Sequence, residues 1–401
     1  MKILQLTNKV PYPPKDGGAI ATLNLSLGLE AIGHQVHLLA MNTPKHHYDV
    51  AQIPARIADK VLIEAVDVDT TIRPAALVAN LLFSSLPYNA TRFFSESYAQ
   101  KLAEVLSATD FDIIQLEGLY LAHYIPLIRK HSKAKIALRA HNIEHEIWKR
   151  AAGQEKSLPK KLYFRILAKR ILQYKKKILN TYDMLIPITQ RDAERFQKIG
   201  NTKPMHVSPV GYQIAESKPA PEKVVFPSVG CLGTLDWFPN QEGLIWFVDY
   251  VWPALHQKHP DLPFRIAGRN APAWLEAYLE NKPVSYLGEI EDAEKFIKET
   301  AIMVVPLFSG SGMRVKIIEG MALGKTIVTT SIGAEGIPVK HLENIVVEDT
   351  AEGFINRIDQ LIHDPHLFKS IGNNASHFIH EHFDNLKICD ALSKFYKKNL
   401  D

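Results

Sequence analysis

Between residues 304 and 324 the chain gathers residue types that could hold an anion. Val304 and Val305 end an apolar run. Ser309, Gly310, Ser311 and Gly312 form a small-residue loop. Met313, Arg314, Lys316 and Glu319 then open a segment with helical apolar spacing. A strand, a glycine loop and a helix start present exposed N–H groups, and such a start binds anions. Arg314 and Lys316 fall in the first turn, where the helix dipole favours negative charge. Cations placed against that preference imply an anion to hold, and phosphate is the obvious candidate. Glu319 lies close enough on the same helix to reach a second part of one ligand. The plainer reading is a Lys316–Glu319 surface pair, worth about 0.2–0.5 kcal/mol, beside an ordinary glycine-serine turn.

Other candidate positions recur at the ends of apolar runs. The loop Pro11–Gly18 precedes a helical segment, and Gly17 and Gly18 would let backbone approach a ligand. It is not GxGxxG, so a dinucleotide fingerprint is unsupported. The run Arg139-Ala140-His141-Asn142-Ile143-Glu144-His145-Glu146 puts His141 at a strand's carboxyl end. Asn142 is placed to cap the following helix, whose dipole Glu144 and Glu146 would favour. Two histidines and two acids suggest a metal, but no further ligand follows at sensible spacing and HExxH is absent, so no metal is expected. Glu117 ends another strand, as an acceptor contact or an exposed rim residue. Gly33-His34 reads as a helix C-terminus, and Thr189-x-x-Asp192 as a capping box with Asp for Glu. Gly233 and Thr234 follow the first strand of the second half, and Pro239-Asn240 starts the helix after them. Trp237, Trp246 and Trp252 are expected to pack rather than stack on a ligand.

These positions need a scaffold. The 401 residues are 46% hydrophobic and 22% charged, which suits two or three globular domains. Short apolar strands alternate with amphipathic helices in both halves. That alternation implies α/β architecture with parallel, doubly wound sheets. Expected strands lie near Ile3–Thr7, Val36–Ala40, Val61–Val66, Ile113–Leu116, Ile136–Arg139 and Met184–Ile188. In the second half they lie near Val225–Cys231, Phe264–Ala267, Val284–Leu287, Ile302–Pro306, Thr326–Thr329 and Asn344–Val347. Domains are expected over 1–210 and 224–383, joined by a linker at 211–223. A last helix within 384–401 could return to the first domain. Ligands of such sheets bind outside the carboxyl ends of the strands, so a cleft between the domains is expected to hold the site.

The net charge of +4 does not indicate nucleic acid. Two cysteines far apart, Cys231 and Cys389, form no disulfide or CxxC pattern and suit a reducing cytoplasm. No signal-peptide core or bilayer-spanning run is read. Lys156–Lys177 carries nine Lys and Arg and no acid. With Leu158, Leu162, Ile166 and Ile171 interleaved, it reads as a helix with a solvated basic face, or one lying on anionic lipid.

Taken in order, these segments resemble a GT-B fold glycosyltransferase of the large retaining family 4 (group 1), over essentially the whole chain. Pro11–Gly18 and Gly33–Val36 resemble its acceptor-side loop and first helix, Arg139–Glu146 its histidine-bearing loop, and Gly233–Asn240 the start of its donor domain. Gly268-Arg269 follows a strand where the family also keeps a glycine. Gly310–Gly324 and Gly333-Ala334-Glu335-Gly336 resemble its nucleotide-sugar site. The resemblance implies two Rossmann-like domains facing a cleft. It implies an NDP-sugar donor (UDP- or GDP-sugar) bound by Gly233, Thr234, Asn240, Ser309, Gly310, Ser311, Gly312, Met313, Gly333 and Glu335. Glu319 matches the second glutamate of E-x7-E, which holds ribose, and His141 the histidine that contacts the transferred sugar. Arg314 and Lys316 would stabilise the leaving diphosphate. Gly17, Gly18, Glu117 and Asn142 fall on the acceptor side.

Transfer with retention is implied, without cofactor or metal, to a polysaccharide or lipid-linked acceptor in cell-surface glycan biosynthesis, lipopolysaccharide included. The location implied is cytoplasmic, or peripheral at the inner membrane face. Two departures stand out. Ser311 occupies the position of the first E-x7-E glutamate. Gly233–Asn240 also lacks the Arg and Lys many members carry there, a gap Arg314 and Lys316 could fill. The rival readings are a GT-B nucleotide-sugar epimerase and a non-catalytic nucleotide-sugar-binding subunit.

Overall fold

A computed structural model describes residues 1–213, 224–310 and 312–400. Most of the expected linker, and Ser311, lie outside the described residues. Among the described residues twelve strands form two six-stranded sheets, and every pairing is parallel. The first sheet contains β1 (Lys2–Thr7), β2 (Gln35–Asn42), β3 (Leu62–Asp67), β4 (Ile113–Glu117), β5 (Lys135–Ala140) and β6 (Met184–Pro187). The second contains β7 (Val225–Leu232), β8 (Phe264–Ala267), β9 (Ser285–Tyr286), β10 (Thr300–Val305), β11 (Thr326–Thr329) and β12 (Val346–Val347). Each expected strand is present. The central ones are apolar because helices cover both faces, and β4 and β10 are buried at every position.

The strand orders are β3-β2-β1-β4-β5-β6 and β12-β11-β10-β7-β8-β9. Counted from the first strand of each sheet, both read 3-2-1-4-5-6, the doubly wound Rossmann order. Both halves of the chain therefore fold as Rossmann-like units.

Among the described residues the first compact unit comprises 1–211, 312–313 and 385–400, and the second 212–213, 224–310 and 314–384. The helix Asn385–Lys398 thus belongs to the first unit. It lies against the helix Gly17–Ala31, where Asn385 Nδ2 donates to Asn24 O at 2.6 Å. Gly28 permits that approach, since a Cβ there would lie 2.5 Å from Cys389 Sγ. His34 is buried and is more than a cap neighbour, because its Nε2 bonds Ser393 Oγ at 2.7 Å.

Several helices differ from the sequence expectation, each for a local reason. The helix expected to start at Pro239-Asn240 is split into Phe238–Trp246, a π turn at Phe247–Val251 and Trp252–Lys258. Pro253 lacks the N–H that a continuous helix needs there. Pro126 likewise separates a 3-10 stretch, Leu119–Tyr124, from the helix Ile125–His131. The helices Pro74–Phe83 and Pro365–His382 were not expected. The first has almost no polar positions and hence no amphipathic period to detect.

Candidate functional site

In the second unit β7 and β10 are neighbours whose crossovers leave on opposite sides, the point where ligands of doubly wound sheets bind. The loops beyond their carboxyl ends carry the residues expected to hold an anion. Lys316, on the helix Val315–Ala322, donates from Nζ to Asn240 Oδ1 at 2.9 Å and to Leu232 O at 3.3 Å. Asn240 donates in turn from Nδ2 to Thr234 O at 2.8 Å. One cation and one amide thereby fix the loop after β7 to the helix after β10, beside Gly233. Among the described residues the alternative Lys316–Glu319 surface pair does not form. Burial pushes the Lys316 ammonium below its ordinary value, with the Arg314 cation adding to the effect.

Arg314 is the N-cap residue of that helix and is buried. Its guanidinium lies 6.0 Å from the Trp237 ring centroid. Trp237 is 41% exposed, so it forms the outer wall of this site rather than part of the core. Gly310 has φ +99°, and a Cβ there would come within 3.2 Å of both Arg314 Nη2 and the Trp237 ring. Only glycine combines that backbone with that clearance. Gly312 also has a left-handed φ, +82°, and Met313 is buried.

Glu319 is half-buried. Burial raises its carboxyl to about 7, and the Glu294 carboxylate pushes the same way. It therefore changes charge near neutrality.

Two expected donor contacts take different places. Gly333 is buried, its N–H bonds Thr330 Oγ1 at 3.0 Å, and a Cβ there would strike Thr329. Its donor is used inside its own loop, so Gly333 shapes the turn after β11 rather than offering an N–H to a ligand. Glu335 is half-buried in that turn. Ser309 is also buried and donates to Glu242 Oε2 at 2.9 Å. Glu242, raised by burial, lies near the glycine loop in space but 67 positions from Ser309 in sequence. Only the fold brings it there, and no motif marks it.

In the first unit the carboxyl ends of β4 and β5 lie side by side. Glu117, the last residue of β4, is expected as a rim or acceptor contact; it is instead buried and fully engaged. Its Oε2 accepts from His141 Nε2 at 2.6 Å and from Arg139 Nη1 at 3.2 Å, and its Oε1 accepts from Gln115 Nε2. No oxygen faces outward to take an acceptor hydroxyl. Burial alone would raise this carboxyl, but Arg139, then the His141 hydrogen bond, outweigh it and hold Glu117 at about 2. The carboxylate accepts, so Nε2 of His141 carries the proton and Nδ1 is set as the other ring position. Gln115 Oε1 accepts from Tyr396 on the C-terminal helix. A hydrogen-bonded line thus runs from Tyr396 through Gln115 and Glu117 to His141.

Two local expectations are corrected nearby. Asn142 does not cap the helix Glu144–Gln154; Ile143 occupies that position without a side-chain bond. At the first helix Asp16 is the N-cap and accepts from Gly18 N and Ala19 N, each at 3.0 Å. The Gly18 N–H is therefore already used, and Asp16 is held ionised against its burial by Lys9 at 2.5 Å. Thr189 caps its helix as expected, accepting from Asp192 N at 3.0 Å.

Among the described residues His141 and His145 are not brought together with a third possible metal ligand. Burial, then the Lys175 cation, lowers His145 to about 4. One group of three possible ligands occurs among the described residues, His259, Asp359 and His363. Its carboxylate already pairs with Lys258 at 2.6 Å.

Residues 15–216 match the model of Glycosyltransferase Family 4, and residues 226–364 that of Glycosyl transferases group 1. An uncharacterized 44.6 kDa protein in the cps region of Klebsiella pneumoniae is 26% identical, over 98% of this chain and 99% of its own. Among solved structures, Anabaena Alr3699/HepE in complex with UDP superposes with TM-score 0.69 at 16% identity, covering 99% of this chain and 100% of that one. A sucrose-phosphate synthase from Thermosynechococcus elongatus gives TM-score 0.72 at 16% identity, with 99% of both chains covered. At such identities these likenesses are ones of fold. The two matches, the paired Rossmann units and the placement of the loops agree: the chain belongs to glycosyltransferase family 4, with a GT-B fold.

Proposed function

We propose that the protein transfers a hexose-type sugar from an NDP-sugar to a polysaccharide or lipid-linked saccharide, with retention of configuration, in cell-surface glycan biosynthesis. The observation that carries this reading is the cluster at the β7/β10 switch point. There Arg314 lies against the left-handed Gly310, and Lys316, in the first turn of Val315–Ala322, is held by Asn240 beside Gly233. The leaving diphosphate gains negative charge as the glycosidic bond breaks, and donors already fixed in place stabilise it without reorganising. Arg can bind phosphate bidentately, and Lys316 is pre-positioned by Asn240. Glu319 would accept from ribose hydroxyls. Gly233, Thr234, Ser309, Gly310, Gly312 and Met313 would shape the donor pocket. Support comes from the family membership and from HepE, solved with UDP-glucose at 16% identity. The Klebsiella relative's place in a cps region fits a glycan product.

His141 is the residue proposed to contact the transferred sugar, with Glu117 as its positioning partner. In the same-face substitution the resemblance implies, the acceptor oxygen bonds the anomeric carbon as the diphosphate leaves. The acceptor proton passes to the departing phosphate oxygen, and no protein nucleophile is needed.

Thermal stabilisation across UDP-, GDP-, ADP- and TDP-sugars tests the donor, since a ligand that binds the folded state raises its stability by mass action. The matching donor should raise the melting temperature above the others. Products with donor alone then separate the rivals: an isomerised donor marks an epimerase, and binding with neither transfer nor hydrolysis marks a non-catalytic subunit.

A further inference from the structure

The helix Pro74–Phe83, PAALVANLLF, has no buried residue. Val78 is 52% exposed, Leu82 67% and Phe83 87%, and Ile72, just before the helix, is exposed as well. A helix apolar on nearly every side is ordinarily covered, and an exposed patch of this kind marks an interaction surface. The helix is held at its C-terminal end by Arg170, which donates from Nη1 to Asn80 O at 3.1 Å and from Nη2 to Leu81 O at 2.8 Å.

Arg170 belongs to the basic helix Leu158–Ile178, so the two helices adjoin. On that helix Leu158 (77%) and Leu162 (60%) are exposed too. Arg165 and Lys169, at i+3 and i+7 from Leu162, are exposed on the same face. Lys175, grouped with these in the sequence, is not part of the face: it is buried, 2.7 Å from Glu144. Neither segment 70–95 nor 156–177 contains an acid.

Exposed apolar side chains bordered by cations complement one kind of surface; the acid at its edge, Asp69, is already paired with Arg73 at 2.6 Å. We propose that Pro74–Phe83 and the basic helix together dock on a bilayer bearing anionic lipid. Leu82 and Phe83 enter the acyl boundary, and Arg165 and Lys169 meet the headgroups. At ten residues the helix rises about 15 Å. It lies in the interface, since crossing the hydrocarbon takes about 20 residues. This surface stands apart from the donor site; only its consequence, a lipid-linked acceptor, rests on the proposed transfer reaction.

Vesicle flotation of the full chain tests it, with phosphatidylcholine alone against phosphatidylcholine containing phosphatidylglycerol. The wild type should float with the anionic vesicles and be released by high salt, as screening requires. The double variants Leu82→Glu/Phe83→Glu and Arg165→Glu/Lys169→Glu should each lower binding by about tenfold or more. Their melting temperatures and nucleotide-induced stabilisation should stay at wild-type values, because none of these side chains is in a core or the donor site. Absence of flotation, equal binding to neutral vesicles, or wild-type binding by the Leu82/Phe83 variant would overturn the inference. A concentration-dependent dimer that Leu82→Glu/Phe83→Glu dissolves, without vesicle binding, would overturn it in favour of a second copy of this chain. Loss of donor stabilisation in the wild type would strike the donor reading alone.

Discussion

His141 Nε2 and Glu117 Oε2 are 2.6 Å apart, and the same carboxylate oxygen holds buried Arg139 at 3.2 Å. The candidate sugar-contacting histidine is therefore oriented by a carboxylate that cannot leave without stranding a guanidinium that is 1% exposed.

Removing that carboxylate should destabilise the protein. Glu117→Ala leaves Arg139 buried without its charge partner, at a cost of about 3–5 kcal/mol, read by urea denaturation. The effect should depend on pH with a definite sign. The folded-state value of about 2 lies below the ordinary 4.5, so the stabilisation is fully present above the unfolded value. It is lost as pH falls from there toward 2. A Glu117→Gln deficit that stays equally large in strong acid would refute this account.

Arg314→Ala should weaken nucleoside diphosphate binding by roughly 10–100-fold, the loss of a charged hydrogen bond worth about 1.5–3 kcal/mol. Turnover should fall with it. Calorimetric titration with UDP and GDP reads the affinity directly; wild-type values in the variant would remove Arg314 from the diphosphate site.

Glu319, raised to about 7 by burial and then by Glu294, ionises through the neutral range. An ionised carboxylate accepts from two ribose hydroxyls where the neutral acid must also donate. Nucleotide affinity should therefore rise with pH across neutrality, beyond any change due to the ligand's own phosphate. Comparison with Glu319→Gln removes that ligand term, and parallel pH profiles would contradict the role. Stability should move the other way. The folded value lies above 4.5, so ionising the buried group costs stability as pH rises through that window, and Glu319→Gln should flatten the loss.

Gly28→Ala should loosen the C-terminal helix from the first unit. The added Cβ would meet Cys389 Sγ at 2.5 Å, and overpacking of this kind costs about 1–3 kcal/mol. Limited proteolysis should cut near residue 385 faster than in wild type. Because Tyr396 bonds Gln115 behind Glu117, turnover should fall as well. An unchanged cleavage rate would show that the helix absorbs the methyl.

The sequence alone carried the fold class. Parallel strands buried on both faces must be short apolar runs, and the helices between them must alternate with them, so every strand was visible as composition. The glycine loop and its cations at Gly310–Glu319 were visible because a helix start has a local chemistry that does not wait for tertiary contacts. What local chemistry cannot encode is a partner distant in the chain. Glu117 was readable as the end of a strand, yet its burial comes from Arg139 on the next strand, from His141 just beyond it and from a helix nearly 280 residues later. Glu242 approaches Ser309 only because β7 and β10 pair. Asn240 looked like a helix start and became the anchor of Lys316 by the same pairing. The helix Pro74–Phe83 was invisible because a segment without polar positions has no period. Its meaning came from what the folded chain leaves uncovered: an apolar helix beside the exposed cations of Leu158–Ile178.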